Sequence, residues 1–237
     1  MFLTAEWRDL VMLNYQVAPA RLQALVPRGT ELDAFEGRML VSAVGFRFLR
    51  TRIFGALPVP FHSNFDEVNL RFYVRRPDAS GNLRRGVVFI REIVPRRAIA
   101  LVARIAYNEN YSCYSMRHDV KRDVAGIRVE YEWRLGGKWL ALRAEAEGEP
   151  ALPAENSIEQ FISEHYWGYS RQRDGGTVEY QVAHPQWGVW RSTKAELNGD
   201  GAAMYGAAFD EALAREPDSA LIADGSSVSV FAGRRIE

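Results

Sequence analysis

The run Phe65-Asp66-Glu67-Val68-Asn69-Leu70-Arg71 sets a carboxylate, an amide and a guanidinium at two-residue intervals. Side chains two apart on a strand point the same way and stand about 7 Å apart. Glu67, Asn69 and Arg71 therefore share one surface. On a solvated sheet this is an ordinary polar face. Lining an enclosed space, the same groups need partners, because unpaired buried charge is very costly. Glu67 and Arg71 would then pair with each other or share a bound molecule. A guanidinium suits a carboxylate or carbonyl oxygen, and a carboxylate beside it can orient it or act as a base.

Other reactive side chains are few. Lys121, Lys138 and Lys194 are the three lysines, and they limit amine chemistry to three positions. The single cysteine, Cys113, reads as a small buried hydrophobe rather than a nucleophile. His62, His118, His165 and His184 are too widely spaced to form a helical metal-ligand pair, so no metal is expected. His165 falls on the apolar face of a predicted helix and reads as a satisfied core histidine. His184 precedes Pro185 and reads as part of a turn. There is no Cys-x-x-Cys, His-Glu-x-x-His, phosphate loop or Gly-x-Ser-x-Gly. Gly199-Asp200-Gly201 lacks the third glycine of a dinucleotide fingerprint and reads as a turn before a helix. No cofactor is expected.

The 30 basic and 30 acidic residues balance, which argues against a nucleic-acid or anionic-membrane binder reliant on surplus Lys and Arg. A basic stretch, Arg84, Arg85, Arg91, Arg96, Arg97 and Arg104, crosses a strand and a turn. It reads as solvated surface ahead of anion binding. One cysteine allows no intrachain disulfide, which favours a reducing compartment. The first nine residues predict no signal peptide, and no window reaches the ~20 apolar residues of a membrane helix. These features predict a cytoplasmic protein.

The elements that must position the polar face are legible as a pattern. Asp66 to Val74 is the cleanest strand, with Val68, Leu70, Phe72 and Val74 on the other face. Pro77 to Asn82 is a hairpin loop and Val87 to Val94 the partner strand. Strands are also predicted over Val11–Val17, Arg38–Phe48, Tyr111–Met116, Thr177–Ala183, Trp187–Leu197 and Ser226–Ala232. Ile127–Leu135 and Lys138–Ala146 form a hairpin about Gly136-Gly137. Helices are predicted over Ala18–Pro27, Arg96–Ala106 and Ala202–Ala214. A further helix runs from a capping box at Ser157-Ile158-Glu159-Gln160 to about Tyr169. Thr51 to Ser63 reads as a loop folded over a cavity. Strands outnumber helices and join as hairpins, so the class is α+β with a mostly antiparallel sheet. No linker or repeat divides the chain, and residues 1–237 are expected to form one domain.

The order of these pieces carries a resemblance. Trp7-Arg8-Asp9-Leu10, Asn14-Tyr15, Val26-Pro27, Gly37-Arg38, Phe65 to Arg71 with Tyr73-Val74, Glu164-His165-Tyr166 and His184-Pro185-x-Trp187 together resemble the YqjF-like family of bacterial proteins. That family carries the label "domain of unknown function 2071", and the likeness spans nearly the whole chain. The family in turn resembles acetoacetate decarboxylase. The implied architecture is a curved antiparallel sheet forming a cone around a cavity, with a few peripheral helices. In the decarboxylase the cavity holds a lysine that forms a Schiff base with a β-keto acid. Laid on that pattern, Arg8 falls at a pocket arginine and Glu67 at a pocket carboxylate. The paired-lysine positions become Asn110 and Tyr111, neither of which can form an imine.

The resemblance thus implies a pocket without Schiff-base chemistry. Arg8, Glu67, Asn69, Arg71, Asn110 and Tyr111 would contact a small anionic or carbonyl-containing ligand. Two alternatives stand beside it: a structural or interaction protein whose polar strand face only orders the core, and a decarboxylase using another lysine. Whether any reaction is catalysed is left open by the sequence, and a homo-oligomer is compatible with it.

Overall fold

The computed structural model describes residues 1–54, 57–58, 63–96, 108 and 110–236. Among the described residues, the first half of the chain supplies four long strands and two of only two residues. These are β1 (Leu3–Val17), β2 (Glu31–Leu32), β3 (Met39–Ile53), β4 (Leu57–Pro58), β5 (Phe65–Pro77) and β6 (Leu83–Val94). Then come β7 (Tyr111–Cys113), β8 (Met116–Asp123), β9 (Gly126–Leu135) and β10 (Lys138–Glu147). The last third holds β11 (Trp167–Arg171), β12 (Thr177–Ala183), β13 (Val189–Arg191), β14 (Lys194–Asn198), β15 (Ser219–Val230) and β16 (Arg234–Ile236).

Neighbouring strands run β15-β1-β3-β5-β6-β11-β12, and β12 pairs back onto β15 through Val182↔Val230 and Ala183↔Ser229. The sheet therefore closes on itself, which removes the edges an open sheet would expose. Apart from the parallel contacts β6–β11 and β6–β7, its pairs are antiparallel. A second sheet, β14-β10-β9-β8, lies outside β1, β3 and β5.

Both faces of β5 are thereby buried. Val68, Leu70, Phe72 and Val74 meet Val129, Tyr131, Trp133 and Leu142 of the second sheet in one core cluster. Tyr73 joins Met12, Val44, Phe46, Phe161 and Ile162 in another, on the inner side. The alternation read from the sequence assigned the two faces correctly. The sheets approach closely at Gly45, where a Cβ would stand 2.6 Å from the Tyr131 ring. The β9–β10 turn is the expected two-residue one, with φ of 57° at Gly136 and 84° at Gly137, the left-handed values that glycine tolerates.

Several expected elements differ in extent. The helix opening at Ser157 does carry its cap, with Ser157 Oγ accepting from Gln160 N at 3.2 Å. It ends at Ser163 rather than Tyr169, because Trp167–Arg171 pairs with β12 and β6. Sheet hydrogen bonds there outweigh an apolar spacing that also suits a helix. Trp187–Leu197 divides into β13 and β14, which join different sheets. Ala202–Ala214 breaks into the helices Gly201–Tyr205 and Ala207–Leu213 at Gly206, whose φ is 93°. Asp200 caps the first of them, accepting from Ala203 N, as a turn before a helix should. Thr51 and Ile53 continue β3, and Leu57–Pro58 pairs with it. The rest of the loop expected over Thr51–Ser63, apart from Phe54 and Ser63, lies outside the described residues. So does the helix expected over Arg96–Ala106, apart from Arg96. Among the described residues no helix is long and apolar enough to cross a membrane.

Candidate functional site

Two strand irregularities shape the interior. In β6 the pairs Leu70↔Arg91 and Arg71↔Phe89 leave Ile90 as an extra residue. Such a bulge resets the alternation of the strand that carries it. Val87 and Phe89 face inward below it, and above it the inward residue is Glu92, opposite Asn69, instead of Arg91. In β1 the register slips between Arg8 and Val11, with Asp9 at φ 55°. Trp7 and Leu10 consequently both face inward.

The result is a cavity of about 220 Å³ inside the closed sheet. This lies below the ~300–1,000 Å³ of typical drug-sized sites. Its walls are largely aromatic. Phe48 stacks on Phe65 at 4.5 Å, Trp7 meets Phe46 edge-on at 5.2 Å, and His184 stacks on Trp187 at 4.0 Å. Gly168 lets the Tyr180 ring pass, since a Cβ there would lie 2.2 Å from it.

Polar groups gather along part of the wall. Glu67, Asn69, Arg71, Glu92, Tyr111 and His165 all line the cavity. Asn69 Nδ2 donates to Glu67 Oε1 at 3.0 Å, and the Tyr111 hydroxyl donates to Glu67 Oε2 at 3.3 Å. Arg71 reaches the carbonyl of Ile162 at 3.1 Å and the sulfur of Met12 at 3.8 Å. Its Nε is buried without a hydrogen-bond partner among the described residues, as is Asn69 Oδ1.

The sequence-derived set divides here. Glu67, Asn69, Arg71 and Tyr111 come together at the cavity. Arg8 does not line it. Strand alternation turns Trp7 inward and Arg8 away, where its guanidinium pairs with Glu6 at 3.1 Å and donates to Gly225 O at 3.3 Å. Asn110 is exposed, and its amide donates to Ile90 O at 3.1 Å. Its backbone carbonyl accepts from Glu92 N at 3.0 Å. Asn110 thus ties down the bulge and does not face the cavity.

Glu92 and His165 also line the cavity and were not among the residues expected there. For Glu92 the bulge hides its inward aim from any simple alternation. His165 is buried as expected of a core histidine, between Tyr73 and Phe161, but it is not satisfied. Nε2 lies 3.4 Å from Asp33 Oδ2, within ion-pair reach, yet neither ring nitrogen makes an aligned hydrogen bond. Burial holds its pKa below the ordinary 6.5, and the nearby Asp33 carboxylate does not offset this. Burial alone would raise the Asp33 pKa, but contacts with His165 and Arg85 hold it below 3.8. A neutral imidazole therefore faces an ionised carboxylate.

Arg84 and Arg85 of the basic stretch are engaged structurally. Arg85 Nε donates to Asp33 at 2.8 Å and Arg84 to Glu179 at 2.7 Å. Arg97 and Arg104 lie outside the described residues. Cys113 is half-buried on β7 and does not line the cavity. The three lysines are all described and all exposed, and none lines the cavity. Among the described residues no cluster of His, Cys, Asp or Glu could hold a metal ion.

The mostly antiparallel fold, with its peripheral helices, resembles that of acetoacetate decarboxylase-like proteins. The whole chain superposes on the enduracididine biosynthesis enzyme MppR complexed with pyruvate, with a TM-score of 0.73, 13% identity and 91% of that chain covered. An acetoacetate decarboxylase-like enzyme from Sphingomonas wittichii RW1 matches at 0.70, 15% and 93%. Acetoacetate decarboxylase from Legionella pneumophila matches at 0.68, 13% and 88%, again over the whole of this chain. Identities this low speak to the fold alone. In sequence, the chain is 25% identical over 195 residues to the uncharacterized protein YqjF of Bacillus subtilis (strain 168), covering 81% of this chain and 76% of that one. Residues 4–227 match the model of the DUF2071 family of uncharacterized conserved proteins, and the chain belongs to that family.

Proposed function

We propose that this protein binds a small anionic or carbonyl-containing molecule inside the closed sheet, and that it does so without a Schiff base. The observation that carries the reading is Arg71, a guanidinium whose Nε is buried at the cavity with no partner among the described residues. A buried donor left unmade costs about 1–3 kcal/mol, and a ligand oxygen would recover it. Glu67 holds Asn69 and Tyr111 in place beside it. Imine chemistry needs a desolvated amine, and the exposed positions of Lys121, Lys138 and Lys194 speak against one. The pyruvate bound by MppR belongs to the same chemical class.

The test is calorimetric titration with pyruvate and phenylpyruvate, followed by borohydride treatment and mass spectrometry. Saturable binding with no covalent adduct is expected. Arg71→Met should weaken it at least about tenfold while the variant still folds cooperatively. An adduct on any lysine would overturn the non-covalent part. Arg71→Met unfolding with no separate effect on affinity would favour the structural reading.

A further inference from the structure

Resting on that reading, we propose that the natural occupant carries a hydrogen-bond donor, a hydroxyl or an N–H, beside its carboxylate or carbonyl, and that Asn69 and His165 accept from it. Unmade hydrogen bonds on the cavity wall point to such a molecule. Among the described residues, Trp7 Nε1, Thr51 Oγ1, Asn69 Oδ1, Arg71 Nε and both nitrogens of His165 are buried and without a hydrogen bond, and all five residues line this cavity. Native interiors leave few polar atoms in that state. Others, such as Tyr15 Oη, Trp133 Nε1 and Tyr205 Oη, lie away from the cavity, but these six share one wall and mark the surface a bound molecule completes.

The signs of these atoms define what it must bring. Trp7 Nε1 and Arg71 Nε can only donate. Asn69 Nδ2 donates to Glu67 Oε1, which fixes the amide orientation and leaves Oδ1 as an acceptor. The ionised Asp33 lies 3.4 Å from His165 Nε2 and favours the tautomer with its proton there. That leaves Nδ1 as an acceptor too. Asn69 and Arg71 stand two residues apart on one strand face, so an acceptor and a donor lie side by side. An acceptor-only keto acid satisfies Arg71 and Trp7 but leaves Asn69 Oδ1 and His165 Nδ1 dry. A hydroxy or amino acid, or an amide, satisfies both kinds.

The test uses two series matched in body size: 3-phenyllactate, phenylpyruvate and 3-phenylpropionate, and lactate, pyruvate and propionate. Each is titrated calorimetrically into the full chain. In at least one series the hydroxy acid should bind at least about tenfold more tightly than its keto and unsubstituted partners, the discrimination expected when buried polar groups are otherwise left unpaired. His165→Phe and Asn69→Leu, tested separately, should each shrink that gap, and either one suffices if the other fails to fold. Equal affinities within both series, or a gap unchanged in every folded variant, would end this inference and leave the small-acid reading standing. No binding by any of the six would end both.

Discussion

At the residue scale, His165 departs furthest from its sequence reading. It is buried and neutral, faces Asp33, and lies in the field of Arg71 and Arg85. Its folded pKa is below 6.5, so as pH falls through 6.5 the unfolded chain takes the proton first. Unfolding then binds protons and stability drops until the folded value is reached; above 6.5 the group contributes no pH dependence. Asp33, lowered below 3.8, begins to lose its contribution only as pH falls through 3.8, so the first part of the fall on acidification does not come from it. Urea titrations should show stability falling between about pH 7 and pH 5.5, with a shallower fall in His165→Phe. His184 is shifted the same way by burial, so the slope should shrink rather than vanish. An unchanged slope would mean that His165 is not the group responsible.

At the element scale, the bulge at Ile90 decides that Glu92, and not Arg91, enters the cavity. Asn110 grips that bulge through its side chain and, by its own carbonyl, the amide of Glu92. Asn110→Ala removes one partly solvated hydrogen bond and should cost about 0.5–1.5 kcal/mol in urea unfolding. It should leave affinity for the best-binding probe within about twofold, because the side chain points away from the cavity. Loss of binding comparable to that of Arg71→Met would return Asn110 to the ligand-contacting set.

For the whole molecule, one buried carboxylate ties β12 to β5, β6, β11 and β16. Glu179 on β12 is fully buried. It accepts from Arg84 of β6 at 2.7 Å, from Arg234 of β16 at 2.8 Å and from the Tyr169 hydroxyl of β11 at 3.2 Å, and Arg76 of β5 lies at 3.5 Å. Glu179→Gln leaves the arginines facing a neutral amide. Loss of one partner from a buried ionic cluster costs about 3–5 kcal/mol, and chemical denaturation should read a loss of that order. A loss under about 1 kcal/mol would show that Glu179 behaves as a screened surface ion.

The sequence by itself determined the strand of Glu67, Asn69 and Arg71 and its two faces, the β9–β10 turn and the mostly antiparallel class. Each of these follows from spacing or backbone preference within a few residues. The resemblance supplied the closed sheet around a cavity. Only the tertiary structure decided which polar groups meet inside it. Two bulges changed which of Arg8, Glu92 and their neighbours face inward, and a bulge is set by pairing with a distant strand rather than by local alternation. It also decided the fate of His165, since whether a buried imidazole is satisfied depends on Asp33, more than a hundred positions away in the chain. Local physics wrote the faces of the strands; the contacts between strands chose what the cavity holds.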